Sequence, residues 1–348
     1  MSVNRNYDPH RKWEPRPPPK SGEGGRTSAM IASLAAEGYE TVSAPFGHAL
    51  VAEARRNDRI VGLTADLAKY TDLHVFAEAF PERFYQMGMA EQVMISAAAG
   101  LAREGFMPFA TTYAVFASRR AYDFIAMAIA EEYLPVKIVC ALPGLTTGYG
   151  PGHQATEDMA IFRGLPNLTI VDPCDAIDVA EAIPAIAAHE GPVYMRLLRG
   201  KVPSVIRRHC PDYKFELGKT KLLRDGTDAL IIASGFMTMR ALDAAVELGE
   251  QGISAAVLHC PTIKPLDTGT ILAEARRAGR LVVTAENHTC VGGLGEAVAA
   301  TLLSNGATPA FRMISLPDQF LDAGALPTLH ERYGISTKSM VQKIRSWL

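Results

Sequence analysis

Short apolar runs rich in β-branched residues alternate with longer alanine-rich stretches, and the alternation occurs twice along the chain. In the first series the runs are "RIVGL" (59–63), "VKIVCAL" (136–142), "LTIVD" (168–172) and "PVYMRL" (192–197). They are short and lack a polar alternation, so each predicts a strand covered on both faces. The stretches 90–103, 117–132 and 175–188 between them predict helices, with Asp175 placed as the N-cap of the last. A second series carries "ALIIASG" (229–235), "SAAVLHC" (254–260), "RLVVTAEN" (280–287) and "FRMISL" (311–316). Strands that take turns with helices pair in parallel and bury both sheet faces under the helices. The expected fold is α/β, with two tandem domains, each a doubly wound, mostly parallel sheet flanked by helices.

A chain of 348 residues suits two domains. The pattern fails over "PSVIRRHCPDYKFELGKTKLLRDG" (203–226), which is charged and rich in turn formers. The expected layout is an N-terminal arm and lead-in at 1–39, a first domain at 40–203, a linker at 204–225 and a second domain at 226–348. Within the arm, "PRPPP" favours polyproline II and "SGEGG" favours flexibility. A net charge of −2 gives no reason to expect nucleic acid or an anionic membrane as partner. The five cysteines are widely spaced without a CxxC pair, the pattern of reduced thiols in a cytoplasmic protein. No apolar run approaches the ~20 residues of a membrane span, and the polar N-terminus lacks the apolar segment of a signal peptide.

Four motifs bear on chemistry. In "GMAEQVMISAAAG" (88–100), Glu91 heads an apolar run in which nothing basic follows until Arg103. It is either an exposed helix cap or an acid placed for a ligand, because an unpaired carboxylate in apolar surroundings is costly or becomes protonated. "YAVF" (113–116) sets Tyr113 and Phe116 at i, i+3, which suits core packing or stacking on a flat heterocycle. "GYGPGHQATED" (148–158) predicts a backbone-exposing loop at a site rim, with His153 in it. Its Glu157 and Asp158 have no further ligands at useful spacing, so no metal site is expected there. "VGGLGEAVAATL" (291–302) offers only GxG, with Val298 where a dinucleotide fingerprint needs its third glycine. A tight strand-to-helix turn is the expectation there.

Taken in order, "TADLA" (64–68), "YQMGMAEQ" (85–92), "TTYAVF" (111–116), "GPGHQATED" (150–158) and "GPVYMRLLRG" (191–200) resemble thiamine-diphosphate enzymes of the transketolase type, specifically their C-terminal half. "TIKPLD" (262–267) and "ENHTCVGGLGEA" (286–297) resemble that family's C-terminal domain, so the likeness runs from about residue 40 to the end. The resemblance implies that Glu91 hydrogen-bonds N1′ of the cofactor's pyrimidine, with an apolar setting that raises its pKa. It implies that Phe116 stacks on that ring with Tyr113 beside it, and that Asp66 and Leu67 border the thiazolium across a subunit interface. His153 would contact substrate and help proton transfer, and Arg199 would meet a sugar phosphate. "YAVFASR" also resembles deoxyxylulose-phosphate synthase, whose cofactor-site arginine falls at Arg119.

The family holds the diphosphate and its Mg²⁺ through a GDG…N motif, and no GDG occurs in this sequence; "RDG" (224–226) is expected to be a turn. The resemblance therefore implies one subunit of a split transketolase, with the diphosphate half on an N-terminal partner in an α₂β₂ assembly. Tyr149 stands where undivided transketolases carry a ketose-reading Asp, which sets the sugar specificity apart. The expected activity is transfer of a two-carbon ketol unit between sugar substrates. The alternatives are a synthase-like or 2-oxo acid dehydrogenase beta-type subunit acting on a 2-oxo acid, or a silent assembly subunit.

Overall fold

The computed structural model describes residues 38–277 and 279–348, so the arm expected at 1–39 lies outside it except for its last two residues. The first series builds β2 (Ile60–Thr64), β3 (Phe84–Gln86), β4 (Met107–Tyr113), β5 (Lys137–Ala141), β6 (Thr169–Val171) and β7 (Val193–Leu197). These six run parallel in the order β6-β7-β5-β4-β2-β3. A short antiparallel ribbon of β1 (Thr41–Ser43) and β8 (Lys201–Pro203) closes over the ends of the domain. In the second series β10 (Ala229–Ala233), β11 (Ala255–His259), β13 (Leu281–Thr289) and β14 (Phe311–Leu316) are parallel. β9 (Lys221–Arg224) joins them antiparallel as an edge. The expected tandem of mostly parallel sheets flanked by helices is what the chain forms.

Two strands escape the sequence pattern for visible reasons. β4, "MPFATTY", is buried throughout, yet its threonines and proline break the apolar run. The Thr111 hydroxyl meets that of Thr71 at 2.9 Å, the buried Thr112 hydroxyl has no hydrogen-bond partner among the described residues, and Pro108 sits in a strand that still pairs on both sides. β12 (Thr262–Lys264), from "TIKPLD", leaves its own domain and pairs antiparallel with β6, so the second domain extends the sheet of the first. The helix expected at 117–132 starts earlier and is broken. It begins at Ala114, bends at Ala121, resumes over Tyr122–Ile125 and ends in a π-helical turn. Asp175 caps Ala176–Ala188 as expected, accepting from the backbone N–H groups of Ile177 and Asp178 at 2.9 Å. Its other oxygen accepts from Val205 and Ile206, which ties the following segment to the same helix end.

The domains meet through buried charge. Arg196 on β7 donates to Asp158 at 2.9 Å and to Asp172 at 3.1 Å, and its second terminal nitrogen reaches the Asn287 carbonyl of the second domain. Ser234 also donates to Asp172. A second buried cluster, Asp178 with His259, Cys174 and Tyr213, bridges the same interface. Its carboxylate accepts from the His259 ring, the Tyr213 hydroxyl and the Cys174 N–H, so its oxygens already have partners. The "VGGLGEA" turn holds no room for a nucleotide. Glu286 fills the N-terminus of the helix Leu294–Ser304, accepting from Leu294 and Gly295 N–H at 2.6 and 2.8 Å. A Cβ at Gly293 would collide with that carboxylate. Among the described residues no helix is long and apolar enough to cross a membrane.

Candidate active site

In parallel sheets the strand carboxyl ends collect on one rim, where ligands bind. Here the segments leaving β2, β3, β4, β5 and β7 bring Asp66, Glu91, Phe116, His153 and Arg199 respectively to that rim. β4 ends in Tyr113, and the helix Ala114–Arg120 starts at once, so Tyr113 and Phe116 face each other with ring centroids 5.6 Å apart. The loop after β3 turns into the helix Glu91–Arg103, of which Glu91 is the first residue. The exposed-cap reading fails, since Glu91 is 3% exposed. The N-terminal end of a helix favours a negative charge there.

The acid also has a cation, which corrects the expectation of an unpaired carboxylate in a purely apolar setting. Arg120 reaches back with Nη1 at 3.3 and 3.5 Å from the two oxygens of Glu91. Its guanidinium carbon lies 4.1 Å from the centre of the Phe116 ring. Along its own helix Glu91 meets no base before Arg103, and its partner arrives instead from the next helix. The available signal was spacing, because Phe116 and Arg120 stand at i, i+4 on one helix face.

His153, on the loop after β5, is half-buried among three aromatic rings. Its ring lies edge-on to Tyr113, Phe116 and Tyr149 at 6.1, 5.7 and 5.6 Å. The loop is held by Arg119, which pairs with Glu157 and donates to the carbonyls of Pro151 at 2.8 Å and Gln154 at 3.3 Å. Arg119 therefore faces the histidine loop, while its neighbour Arg120 faces the acid. Gln154 is fixed from both domains, by the carbonyls of Thr147 and Asp322.

Arg199 follows β7 and is 8% exposed, yet its Nε and one Nη have no hydrogen-bond partner. Its guanidinium lies 5.7 Å from the Tyr70 ring. Burial lowers its pKa, and the nearby phenols of Tyr113 and Tyr149 with the Asp72 carboxyl act in the opposite direction. Burial raises Asp72 to about 6, although its carboxylate accepts from the Gly200 N–H at 3.0 Å. The electrostatic reach of Arg199 to Tyr113 and Tyr149 joins it to the aromatic surroundings of His153. Tyr70 and Asp72 carried no signal in the sequence.

Asp66 is exposed in a left-handed conformation, φ 60°, and exchanges hydrogen bonds with Gln86 at the adjoining strand end. Leu67 is half-buried, with its N–H on the Thr64 hydroxyl. The pair stands at the open side of the rim. "RDG" is not the turn expected: Arg224 ends β9 (Lys221–Arg224), and exposed Asp225 just after it pairs with Arg277 at 2.7 Å. The rim thus presents a buried acid with a flat aromatic platform, a histidine among aromatic rings, and a buried guanidinium with open donors. Such a set suits a planar nitrogen heterocycle and an anionic co-substrate.

Residues 40–204 match the transketolase pyrimidine-binding domain and residues 218–340 the transketolase C-terminal domain. The transketolase family protein y4mN of Sinorhizobium fredii is 70% identical over 323 residues, covering 92% of this chain and 93% of that protein. Subunit SqwH of the 6-deoxy-6-sulfo-D-fructose transketolase of Clostridium sp. is 41% identical, covering 84% of this chain and 90% of that subunit. A solved split gene transketolase, described as an inactive β4 tetramer, superimposes with a TM-score of 0.79 at 40% identity, over 88% of this chain and 98% of that one.

Proposed function

Because the chain belongs to the transketolase family, with the pyrimidine-binding and C-terminal domains of that family, we propose that it is the pyrimidine-holding subunit of a split, thiamine-diphosphate-dependent transketolase. The single observation that carries this reading is the seat made by buried Glu91 and the Phe116 face, which already accommodates a flat, N–H-bearing group. An aminopyrimidine has the same two needs, a ring face and a carboxyl partner, so the residues present fit the cofactor. Bound there, thiamine diphosphate supplies a thiazolium carbon that can act as a nucleophile toward a carbonyl.

Glu91 holds a proton at N1′ of the pyrimidine, a task that suits a carboxyl shielded from water. Phe116 and Tyr113 orient the ring. His153 stands where it can pass a proton to or from a substrate oxygen, and Arg119 fixes the loop that carries it. Arg199 receives an anionic head group, because a buried guanidinium with open donors is stabilised by a phosphate or sulfonate. Asp66 and Leu67 meet the thiazolium side across the subunit interface. The diphosphate and Mg²⁺ fall to the partner, since the chain contains no GDG. A partner carrying GDG…N in an α₂β₂ assembly completes the enzyme. The relative described as a split gene transketolase supports that division, and five free cysteines support a cytoplasmic setting.

The reaction is transfer of a two-carbon ketol unit between anionic sugars. The complex reconstituted with its partner should turn over a ketose phosphate or ketose sulfonate with an aldose acceptor. Turnover of pyruvate in place of the ketose would instead place it with the enzymes acting on 2-oxo acids. No turnover with either, despite cofactor binding, would make it an assembly subunit.

A further inference from the structure

We propose that Arg120 is a stand-in for the pyrimidine, filling the cofactor's seat in the free chain and swinging out to admit it. The proposal rests on the reading of Glu91 and Phe116 given above and adds a gate to it. The guanidinium occupies both contacts at once, with Nη1 on the Glu91 oxygens at 3.3 and 3.5 Å and its carbon 4.1 Å from the Phe116 ring centre. It is planar, carries N–H donors in its plane and presents a π-face, which are the properties an aminopyrimidine brings to such a seat.

A placeholder is needed because the chain itself buries Glu91. A buried carboxylate without a partner is strongly disfavoured. Spacing makes Arg120 the natural partner, one helical turn after Phe116 and on the same face. It can also leave. Its side chain is 53% exposed, and its ion pair and its cation–π contact are with the two residues of the seat. Arg119 could not serve, because its guanidinium nitrogens are bound to Glu157, Pro151 and Gln154. Ligand entry therefore competes with an internal contact, and the apparent affinity is the intrinsic one reduced by the open fraction. A seat closed about nine-tenths of the time lowers affinity about tenfold.

The test uses Arg120→Met, which keeps the stem and removes the planar cation, and Arg120→Lys, which keeps the charge alone. In the two-subunit complex, thiamine diphosphate titrated with Mg²⁺ should bind Arg120→Met about tenfold more tightly than wild type and associate faster. Arg120→Lys should fall between them. In the isolated chain, Arg120→Met should lower the urea midpoint when Glu91 is intact and leave it nearly unchanged beside Glu91→Gln. Weaker or unchanged cofactor affinity in Arg120→Met, with a wild-type complex that binds, would overturn the gate while sparing the functional reading. Equal destabilisation with and without Glu91→Gln would overturn it as well. A wild-type complex that does not bind thiamine diphosphate would refute the functional reading and the gate together.

Discussion

Glu91 and Arg199 are buried side chains at the same rim, one paired with Arg120 and the other with unpartnered guanidinium nitrogens, and each makes a separate prediction. Glu91→Gln keeps the volume of the side chain but cannot exchange a proton with a ring nitrogen as the acid does. In the reconstituted complex kcat should fall about 10²-fold or more, the scale of losing a positioned acid–base group. Hydrogen–deuterium exchange at the cofactor's C2 should slow in parallel. Exchange as fast as in wild type would reduce Glu91 to a structural acid paired with Arg120. Arg199→Ala should raise KM for sugars with an anionic head by about tenfold to a hundredfold, as expected for losing a charge-assisted contact. Cofactor affinity should not change. An equal effect on an uncharged sugar analogue would show that Arg199 acts through packing against Tyr70. At this scale the sequence disclosed the residues but not all of their partners. Glu91, Phe116 and His153 stand out by type and company, whereas Arg120 reaches Glu91 only after two helices have packed together.

Elements were legible where one force dominated. Predominantly apolar runs, interrupted by Lys137 in β5 and Arg196 in β7, mark β5, β7, β10 and β11, and the Asp175 side chain announces the helix it caps. β4 and β12 were hidden because tertiary pairing overrides local composition, with the Thr111 hydroxyl satisfied by Thr71 in one case and a foreign sheet edge in the other. The GxG turn was read correctly as packing, and the structure supplies the reason in the Glu286 carboxylate at the helix start. Burial raises Glu286 from 4.5 to about 7. The folded chain then binds a proton more tightly than the unfolded one, so stability falls as pH rises from about 4.5 to about 7. Glu286→Gln lacks this dependence, although it loses one N–H acceptor at every pH. Urea midpoints should show wild type losing about 3 kcal/mol relative to the variant across that window. Parallel pH profiles would mean that Glu286 stays ionised throughout.

At the scale of the molecule, the two domains are joined through β12 on the first sheet and through Arg196 between Asp158, Asp172 and the Asn287 carbonyl. The tandem architecture was legible because the strand–helix alternation restarts after residue 226. The interlocking was not, since Arg196 and Asp172 lie in strands or at their ends and look like ordinary surface charges until the domains close over them. On the proposed reading the joined domains hold only part of a site. The rim would supply a pyrimidine seat and an anion receptor, and "RDG" is the end of β9, with Asp225 paired to Arg277. The central claim is therefore that cofactor binding belongs to the assembly. Calorimetric titration of thiamine diphosphate with Mg²⁺ into this chain alone, into a GDG-bearing partner alone and into their mixture tests it most directly. The account predicts tight binding in the mixture and weak binding in either component. Tight, Mg²⁺-dependent binding by this chain alone would contradict it.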